Sequence, residues 1–424
     1  IAAHILGQVI GGRSLNHVMP AQLAKVSDRD RGLVQQLCYG TLRSLPKLKA
    51  VLNQLLDKPM RSKDRDVSAL LLIGLYQLDA MRVPDHAAVA ATVDATRALG
   101  KPWAKGLTNA LLRRYLREHE ELLANLDDAE NAAHPAWMFG KIHKQWPGAA
   151  DAILQANNAP PPMSLRVNTR KIDRDSYLEK LSAAGIDATA SAISPQGIRL
   201  NEPVDVDHLP GFDKGDVSVQ DEAAQLAAIL LAAQPGERIL DACAAPGGKA
   251  CHTLELQPAL GSLVAADIDS QRLDKVAENL SRLELEAQLV TMDACKPADA
   301  FPAKSFDRIL VDAPCSASGV IRRHPDVKIL RRPEDIGQLA DQQLEILAGL
   351  WTLLKPGGKL LYATCSIFKE ENSGVIEKFL VQQPQANYLL TPGDWGEPTP
   401  FGRQLLPCIN GSDGLFYAML EKQA

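Results

Sequence analysis

The chain has 424 residues, enough for two or three domains, and its 46% hydrophobic content is ordinary for a globular protein. No stretch approaches 18 uninterrupted apolar residues, and the first residues lack the basic flank of a signal peptide, so we expect a cytoplasmic protein without a membrane span. The net charge of −5 conceals an asymmetry, because residues 1–120 carry +8 and residues 121–424 carry −13. A basic front part favours an anionic partner such as nucleic acid, although charge alone leaves a merely solvated helical surface equally open.

Cysteine and histidine spacing disfavours structural cross-links. The seven cysteines are an odd number without a C-x-x-C pair, and the nine histidines show no H-E-x-x-H pattern. Neither a disulfide framework nor a zinc site is indicated, and we expect no metal. Taken singly, each cysteine is more typical of a small buried hydrophobic residue.

Residues 1–130 are expected to form an all-α bundle that binds RNA. After Ser27 or Asp28 as a helix cap, apolar residues recur at helical spacing, at Leu33, Leu37 and Leu42. The run SALLLIGLYQLDAM is apolar nearly all round, which is typical of a central helix. Basic residues are spread across these helices, where they could contact RNA phosphates without recognising the base sequence. They are Arg43, Lys47, Lys49, Lys58, Arg61, Lys63, Arg65, Lys101, Lys105, Arg113, Arg114 and Arg117.

A composition change marks the next two segments. Three prolines at 160–162 precede MSLRVNT and GIRL, which have strand character, and a helical stretch ending at Gly185, so residues 131–210 predict a small α+β domain. In residues 211–424, the runs RILDAC, SLVAADI, AQLVTMD, FDRILVDAP and KLLYATCS alternate with helical patterns. This alternation predicts a Rossmann-like α/β domain with a parallel sheet, whose ligands bind at the carboxyl ends of the strands.

Acids and glycines follow the predicted strands. Gly247 and Gly248 allow a tight turn after the first strand, in a segment that matches neither G-x-G-x-x-G nor a P-loop, which disfavours NAD and ATP. Asp267, Asp293 and Asp312 end the next three strands. A ligand with ribose hydroxyls, an exocyclic amine and a positive charge suits these acids, and S-adenosyl-L-methionine (SAM) has all three. Taken singly, each acid is more typical of a helix cap or a surface loop than of a ligand site, but three acids together with the glycine turn are not.

Two cysteines also end strands of this sheet, and these two strands are neighbours in the usual strand order. Cys315 follows Asp312 in VDAPCSASG, and Cys365 follows the fifth strand in YATCS. A thiolate that adds to carbon 6 of a pyrimidine activates carbon 5 for methylation, so one cysteine fits a nucleophile's role. The carboxylate near Cys315 would raise the pKa of its thiol, which favours Cys365 as the attacking group, with Cys315 as a helper or a buried apolar residue.

The motifs DACAAPGGK, VDAPCSASGVIRRHPD and YATCSIFKEEN resemble the RNA cytosine-5 methyltransferases of the Sun/Nop2 type, and SVQDEAAQL matches the family motif before the first strand. LCYGTLR and GLTNALLRRY in the bundle resemble the NusB fold. The resemblance covers essentially the whole chain and implies a NusB-like RNA-binding domain (1–130), a small α+β linker domain (131–210) and a SAM-dependent catalytic domain (211–424). One departure is Ala250-Cys251, where the family often has Thr-Thr, which puts a hydroxyl contact in doubt.

The resemblance also implies roles for single residues. Cys365 corresponds to the nucleophile and Cys315 to the cysteine that resolves the adduct, while Asp312 and Lys249 would approach the base. The segment expected to hold SAM comprises Cys243, Ala244, Ala245, Pro246, Gly247, Gly248 and Lys249, together with Asp267, Asp293 and Asp312. Candidates for RNA contacts are Arg322, Arg323, His324 and Arg166, with Asn168 as a further residue of the cleft.

Domain order narrows the resemblance to bacterial enzymes that methylate carbon 5 of one cytidine in 16S rRNA, at the position numbered 967. A monomer is expected. Two other interpretations stay open at this point: a cytosine-5 methyltransferase of tRNA, and a non-catalytic RNA-binding factor of ribosome assembly.

Overall fold

A computed structural model describes residues 1–391 and 393–423, which form two compact units. The first unit contains residues 1–160 and 321–333, and the second contains residues 161–320 and 334–424. Within the described ranges, no helix is both long enough and apolar enough to cross a membrane.

The first unit is a helical bundle, as the sequence predicted. Eight residues of the central helix α5 are buried, because the run SALLLIGLYQLDAM presents apolar residues on all sides. Leu42 is buried as expected, whereas Leu33 is 48% exposed and lies outside the core. The helices are α1 (Ala2–Ile10), α2 (Leu15–Leu23), α3 (Asp28–Arg43), α4 (Leu45–Leu55), α5 (Arg65–Ala80), α6 (Asp85–Ala98), α7 (Ala104–Ala124), α8 (Asp128–Asn131), α9 (Ala136–Gln145) and α10 (Ala150–Asn158), with a 3₁₀ turn at Ser62–Asp64.

The second unit begins with a small antiparallel sheet of order β2-β3-β1-β4, backed by one helix. Leu165, Val167 and Ile198 are fully buried and form its core with residues of the helix. The elements are β1 (Ser164–Val167), α11 (Arg174–Ala183), β2 (Ala188–Ala190), β3 (Gly197–Leu200) and β4 (Val217–Val219), with a 3₁₀ turn at Val206–His208.

A large sheet with helices follows, in the order β11-β12-β13-β9-β8-β5-β6-β7, and β10 pairs with β13. The five strands from β5 to β9 are parallel neighbours, as predicted. The elements are α12 (Glu222–Leu231), β5 (Arg238–Asp241), α13 (Gly248–Leu256), β6 (Ser262–Asp267), α14 (Ser270–Leu283), β7 (Gln288–Thr291), β8 (Phe306–Asp312), α16 (Pro333–Leu353), β9 (Leu354–Thr364), α17 (Ser373–Gln382), β10 (Ala386–Leu389), β11 (Glu397–Thr399), β12 (Gly402–Gln404) and β13 (Phe416–Lys422), with a 3₁₀ turn at Pro297–Asp299. The short helix α15 (Val327–Leu330), between β8 and α16 in sequence, belongs to the first unit.

The sheet is mixed, which corrects the expectation of a parallel sheet alone. The sequence analysis missed β10 to β13, which add antiparallel strands beyond β9. Three of them span only three or four residues, too short for a periodic pattern to show. The fourth, β13, is buried along most of its length, so it lacks the alternation of polar and apolar residues that marks a half-exposed strand.

Alternating side chains of the parallel strands fill two separate cores. Leu240 and Val264 pack on one face of the sheet, whereas Ile239 and Leu263 pack on the other. Both faces are covered, which explains why these strands appear as continuous apolar runs in the sequence. The parallel register brings the carboxyl ends of β5 to β9 to the same edge of the sheet, where their loops form the candidate site.

Candidate active site

A cavity of about 260 Å³ lies at the carboxyl ends of the parallel strands. Its wall combines acids, thiols and apolar side chains from the loops after β5, β6, β7, β8 and β9 with residues of the helices α14 and α16. The residues that line it are Ala242, Cys243, Ala245, Asp267, Ile268, Arg272, Met292, Asp293, Ala294, Cys295, Asp312, Ala313, Pro314, Cys315, Gln342, Ile346 and Cys365.

The turn after β5 depends on a glycine in a left-handed conformation. Gly247 has φ +98°, and a Cβ added there would lie 3.1 Å from Cγ1 of Val276 on α14. The turn leads into α13, which begins at Gly248. Cys243 and Ala245 line the cavity, whereas Gly247, Gly248 and Lys249 are not among its lining residues. Ala250 and Cys251, where the family pattern has hydroxyls, are both buried in the core of this face.

Asp267 and Asp293 form the part of the cavity that suits a nucleoside. Asp267 is 3% exposed and accepts hydrogen bonds from the backbone N–H groups of Ala245 (3.3 Å) and Asp269 (3.1 Å). Ile268, next to it, is 68% exposed and lines the same cavity. Carboxylates beside an exposed apolar side chain match the ribose hydroxyls, the amine and the apolar faces of SAM, so the residues present fit this cofactor.

Lys249 and Asp312 form an ion pair, of which Asp312 lines the cavity. Burial favours the neutral amine, but the nearby Asp312 carboxylate outweighs it and raises the pKa of Lys249, which therefore stays charged. Asp241, the last residue of β5, is 1% exposed, and its burial raises the pKa of its carboxyl to about 7. The sequence analysis did not single out Asp241, because it precedes the glycine turn and resembles any strand residue.

The two strand-end cysteines are in contact. The Sγ atoms of Cys315 and Cys365 lie 3.3 Å apart, because β8 and β9 pair in parallel and both loops turn toward the cavity. Cys315 is buried, whereas Cys365 is partly exposed. The hydrogen bond with Cys365, then burial and the charge of Glu371, raise the pKa of Cys315 well above its ordinary value, so Cys315 is a neutral thiol.

Three comparisons with known proteins bear on this arrangement. Sequence profiles described as the NusB family, an RsmF/B-like ferredoxin-like domain and 16S rRNA methyltransferase RsmB/F match residues 1–117, 134–207 and 228–421. The chain is 53% identical over its full length to the ribosomal RNA small subunit methyltransferase B of Pseudomonas putida, of which 98% is covered. The chain belongs to the 16S rRNA methyltransferase RsmB/F family.

Solved structures agree with this membership. The chain superimposes on the crystal structure of PH0851 with a TM-score of 0.83 at 25% identity, covering 99% of this chain and 97% of the other. A methyltransferase homolog from Pyrococcus horikoshii matches with a TM-score of 0.62 at 29% identity, over 70% of this chain and 98% of the other. The fold is therefore a NusB-like bundle, a ferredoxin-like middle domain and a Rossmann-like methyltransferase domain, and the cofactor of this RsmB/F member is SAM.

Arg166, one of the candidates for RNA contacts, is buried inside the second unit. Its guanidinium is 1% exposed and donates to both carboxylate oxygens of Glu255 on α13, at 2.8 and 2.9 Å, and to the carbonyl of Gly248 at 2.8 Å. Asn168 is likewise buried and donates to the carbonyl of Gly215. In this RsmB/F chain, Arg166 therefore holds the small sheet against the glycine turn, and we do not include it in an RNA-binding surface.

The segment that contains Arg322, Arg323 and His324 belongs to the first unit. Arg322 is fully buried, and its carbonyl accepts two hydrogen bonds from the Arg43 guanidinium, at 2.9 and 3.2 Å. Arg323 and His324 are partly exposed. The sequence predicted that all three could contact RNA from a loop after Cys315, whereas in the structure this loop is anchored in the helical bundle and Arg322 is buried.

Proposed function

We propose that this protein methylates carbon 5 of a cytidine in 16S rRNA through a covalent cysteine–cytosine adduct. The observation that carries the proposal is the contact between two thiols, 3.3 Å apart, beside a cavity that fits SAM. Carbon 5 of cytosine is a poor nucleophile, so its methylation needs a group that adds to carbon 6, whereas methylation of a nitrogen does not. The name of the Pseudomonas putida relative supports small-subunit rRNA as the substrate.

Cys365 is the proposed nucleophile. It is the more exposed of the two thiols, and the high pKa of Cys315 leaves that residue protonated when the pair loses one proton. The Cys365 thiolate adds to carbon 6 of the base, and the electron pair moves to carbon 5. When bound, SAM supplies the methyl group as an electrophile on a positively charged sulfur.

Asp312 and Lys249 are proposed to hold the base during this addition. The Asp312 carboxylate accepts from Lys249 and lines the cavity next to Cys315, where it would accept a hydrogen bond from the protonated N3 of the adduct. The charged Lys249 amine counters the carboxylate, so the pair adds no net charge to the site. In the proposed last stage a water molecule takes the carbon 5 proton, the electrons of that C–H bond restore the carbon 5–carbon 6 double bond, and Cys365 leaves as a thiolate. The neutral Cys315 thiol, 3.3 Å away, assists by donating a hydrogen bond to the departing sulfur.

The target cytidine must be unpaired or flipped out of a helix to reach two thiols at the edge of a sheet. By resemblance we propose the nucleotide numbered 967 in 16S rRNA, with the NusB-like part (1–130) binding RNA, residues 131–210 linking and residues 211–424 performing catalysis. Eight of the twelve basic candidates in the bundle are exposed, which supports its place in RNA binding; they are Lys49, Lys58, Arg61, Lys63, Arg65, Lys105, Arg113 and Arg117.

Bisulfite sequencing of 16S rRNA after incubation with the protein and SAM tests the proposal. We expect one new 5-methylcytidine with the wild type, none with Cys365→Ala, and an unchanged level with Cys408→Ala, which alters an exposed cysteine outside the site. If the protein methylates tRNA but not 16S rRNA, the proposed substrate is wrong and tRNA is the substrate. Absence of SAM binding would instead favour a non-catalytic assembly factor.

A further inference from the structure

A buried carboxylate joins the two cysteine loops. Glu371 is fully buried and lies between the end of β9 and the start of α17. One of its oxygens, Oε1, accepts from the backbone N–H of Ser316 at 2.7 Å, and the other, Oε2, accepts from the hydroxyls of Ser316 at 2.6 Å and Ser366 at 2.5 Å. Ser316 directly follows Cys315, and Ser366 directly follows Cys365.

Two further buried side chains, Gln343 and Tyr362, hold Glu371 in place. The side-chain amide of Gln343 on α16 donates to Glu371 Oε1 at 3.3 Å and to the carbonyl of Pro314 at 2.9 Å. The Tyr362 hydroxyl lies 2.7 Å from the backbone carbonyl oxygen of Glu371 and 3.0 Å from Oε1 of Gln343. The carboxylate therefore has little freedom to move relative to the strands β8 and β9.

Stability alone does not account for an acid at this position. Removing a carboxylate from water costs several kcal/mol unless donors satisfy it, and well-packed apolar residues often stabilise a core as well or better. Burial raises the pKa of Glu371 even though Ser316, Ser366 and Gln343 donate to it. What the acid provides, and an apolar residue would not, is a directional link between two loops that are 50 residues apart in sequence.

We propose that Glu371 is a positioning residue that fixes the spacing of Cys315 and Cys365 by holding the serine next to each of them. This inference rests on the proposed cysteine chemistry and deepens it. Glu371 does not line the cavity, so it acts through the loops rather than on SAM or the base. A direct backbone link, from the N–H of Gly319 to the carbonyl of Cys365 at 2.9 Å, joins the same loops on the far side.

The test compares Glu371→Ala and Glu371→Gln with Glu370→Gln, which alters the exposed acid next to it. We expect Glu371→Ala to lower kcat for methylation about 100-fold, the size of effect that a misplacement of about 1 Å produces, with the Kd for SAM unchanged within about threefold. Glu371→Gln should recover most of kcat, because its Oε1 still accepts from Ser316 and its amide can donate to hydroxyls that rotate. Glu370→Gln should match the wild type.

A second readout separates positioning from general stability. In a Cys315→Ser background, the rate of SDS-stable adduct formation with RNA should fall on adding Glu371→Ala and return with Glu371→Gln. If Glu371→Ala does not fold, Ser366→Ala tests the same link, because it removes the hydroxyl that donates to Glu371 Oε2. This variant should slow adduct formation about 10-fold at unchanged SAM affinity.

Normal kcat and adduct rates in a folded Glu371→Ala or Ser366→Ala protein would overturn the inference, as would a loss confined to SAM affinity. Failure of the wild type and of Glu370→Gln to form 5-methylcytidine would refute the proposed function instead, so the two failures are distinguishable.

Discussion

At the scale of single residues, Asp241 makes the stability of the protein depend on pH. Its carboxyl is 1% exposed, and burial raises its pKa from the ordinary 3.8 to about 7. Between these values the unfolded chain has already lost this proton while the folded chain keeps it. The free energy of unfolding therefore falls as the pH rises through this window, and the full penalty is present above about pH 7.

Asp241→Asn should remove this dependence. A pKa difference of about 3 units corresponds to roughly 4 kcal/mol, so the variant should gain up to that amount over the wild type above pH 7 and little near pH 4. Urea unfolding at several pH values measures the difference, with Asp274→Asn on exposed α14 as the control. A gain that does not change with pH would contradict the proposed burial of an acid.

Asp267 is expected to determine SAM affinity. Its buried carboxylate is oriented by two backbone N–H groups, which leaves it placed for the ribose hydroxyls. Asp267→Ala removes the expected charge-assisted hydrogen bonds from the ribose hydroxyls to this carboxylate, which are worth about 1.5–3 kcal/mol. The Kd for SAM should therefore rise about 10- to 100-fold in isothermal titration. Asp274→Ala should leave the Kd unchanged, and equal affinities of Asp267→Ala and the wild type would remove Asp267 from the cofactor site.

At the scale of elements, the turn between β5 and α13 requires Gly247 for two reasons. Its φ is positive, and Val276 occupies the space that a side chain would need. Gly236 provides a matched control, because its φ is also positive but nothing lies within 4 Å of an added Cβ. Both Gly→Ala changes add about 1–2 kcal/mol of backbone strain, and only Gly247→Ala adds a steric contact.

We expect Gly247→Ala to destabilise the fold more than Gly236→Ala and, in addition, to weaken SAM binding. Thermal unfolding and isothermal titration with SAM check the two effects. If both variants lose the same stability and bind SAM equally well, the contact of the turn with α14 plays no role in the site.

The sequence predicted the elements that have a periodic or continuous apolar pattern, and it did not predict the elements that lack one. The central helix α5 and the strands β5 to β9 were predicted because long apolar runs define them. The short strands β10 to β12 follow no such pattern: β10 and β12 pair with β13, and β11 pairs with β12, contacts that only the folded chain provides. Cys315 and Cys365 were placed on neighbouring strands correctly, because the order of parallel strands follows from the topology.

At the scale of the whole molecule, the segment 321–333 shows why charge was a poor guide to exposure. Lys328 is 3% exposed, and its amine donates to the carbonyls of Arg43 (2.8 Å) and Ala133 (3.0 Å) and to the side chain of Asn158. Asp326 accepts from the backbone N–H of Leu15 at 3.0 Å. These contacts join residues up to 311 positions apart, which no local pattern in the sequence records. The partners of Glu371 escaped prediction for the same reason.

Lys328→Ala should release this segment from the bundle. It leaves two backbone carbonyls without their donor, so we expect a loss of about 2–3 kcal/mol in the free energy of unfolding of the first unit. Amide hydrogen exchange should accelerate across residues 321–333, while Lys49→Ala, on the exposed surface of α4, should change neither quantity. Unaltered exchange in Lys328→Ala would show that other contacts suffice to anchor the segment.

The proposed methylation mechanism depends on which of the two thiols, Cys315 or Cys365, attacks the base. The most direct measurement is the amount of protein–RNA adduct that survives SDS after each cysteine is changed to serine in the presence of 16S rRNA and SAM. If Cys365 attacks and Cys315 assists release, Cys315→Ser accumulates the adduct and Cys365→Ser forms none. Accumulation with Cys365→Ser and none with Cys315→Ser would contradict the account.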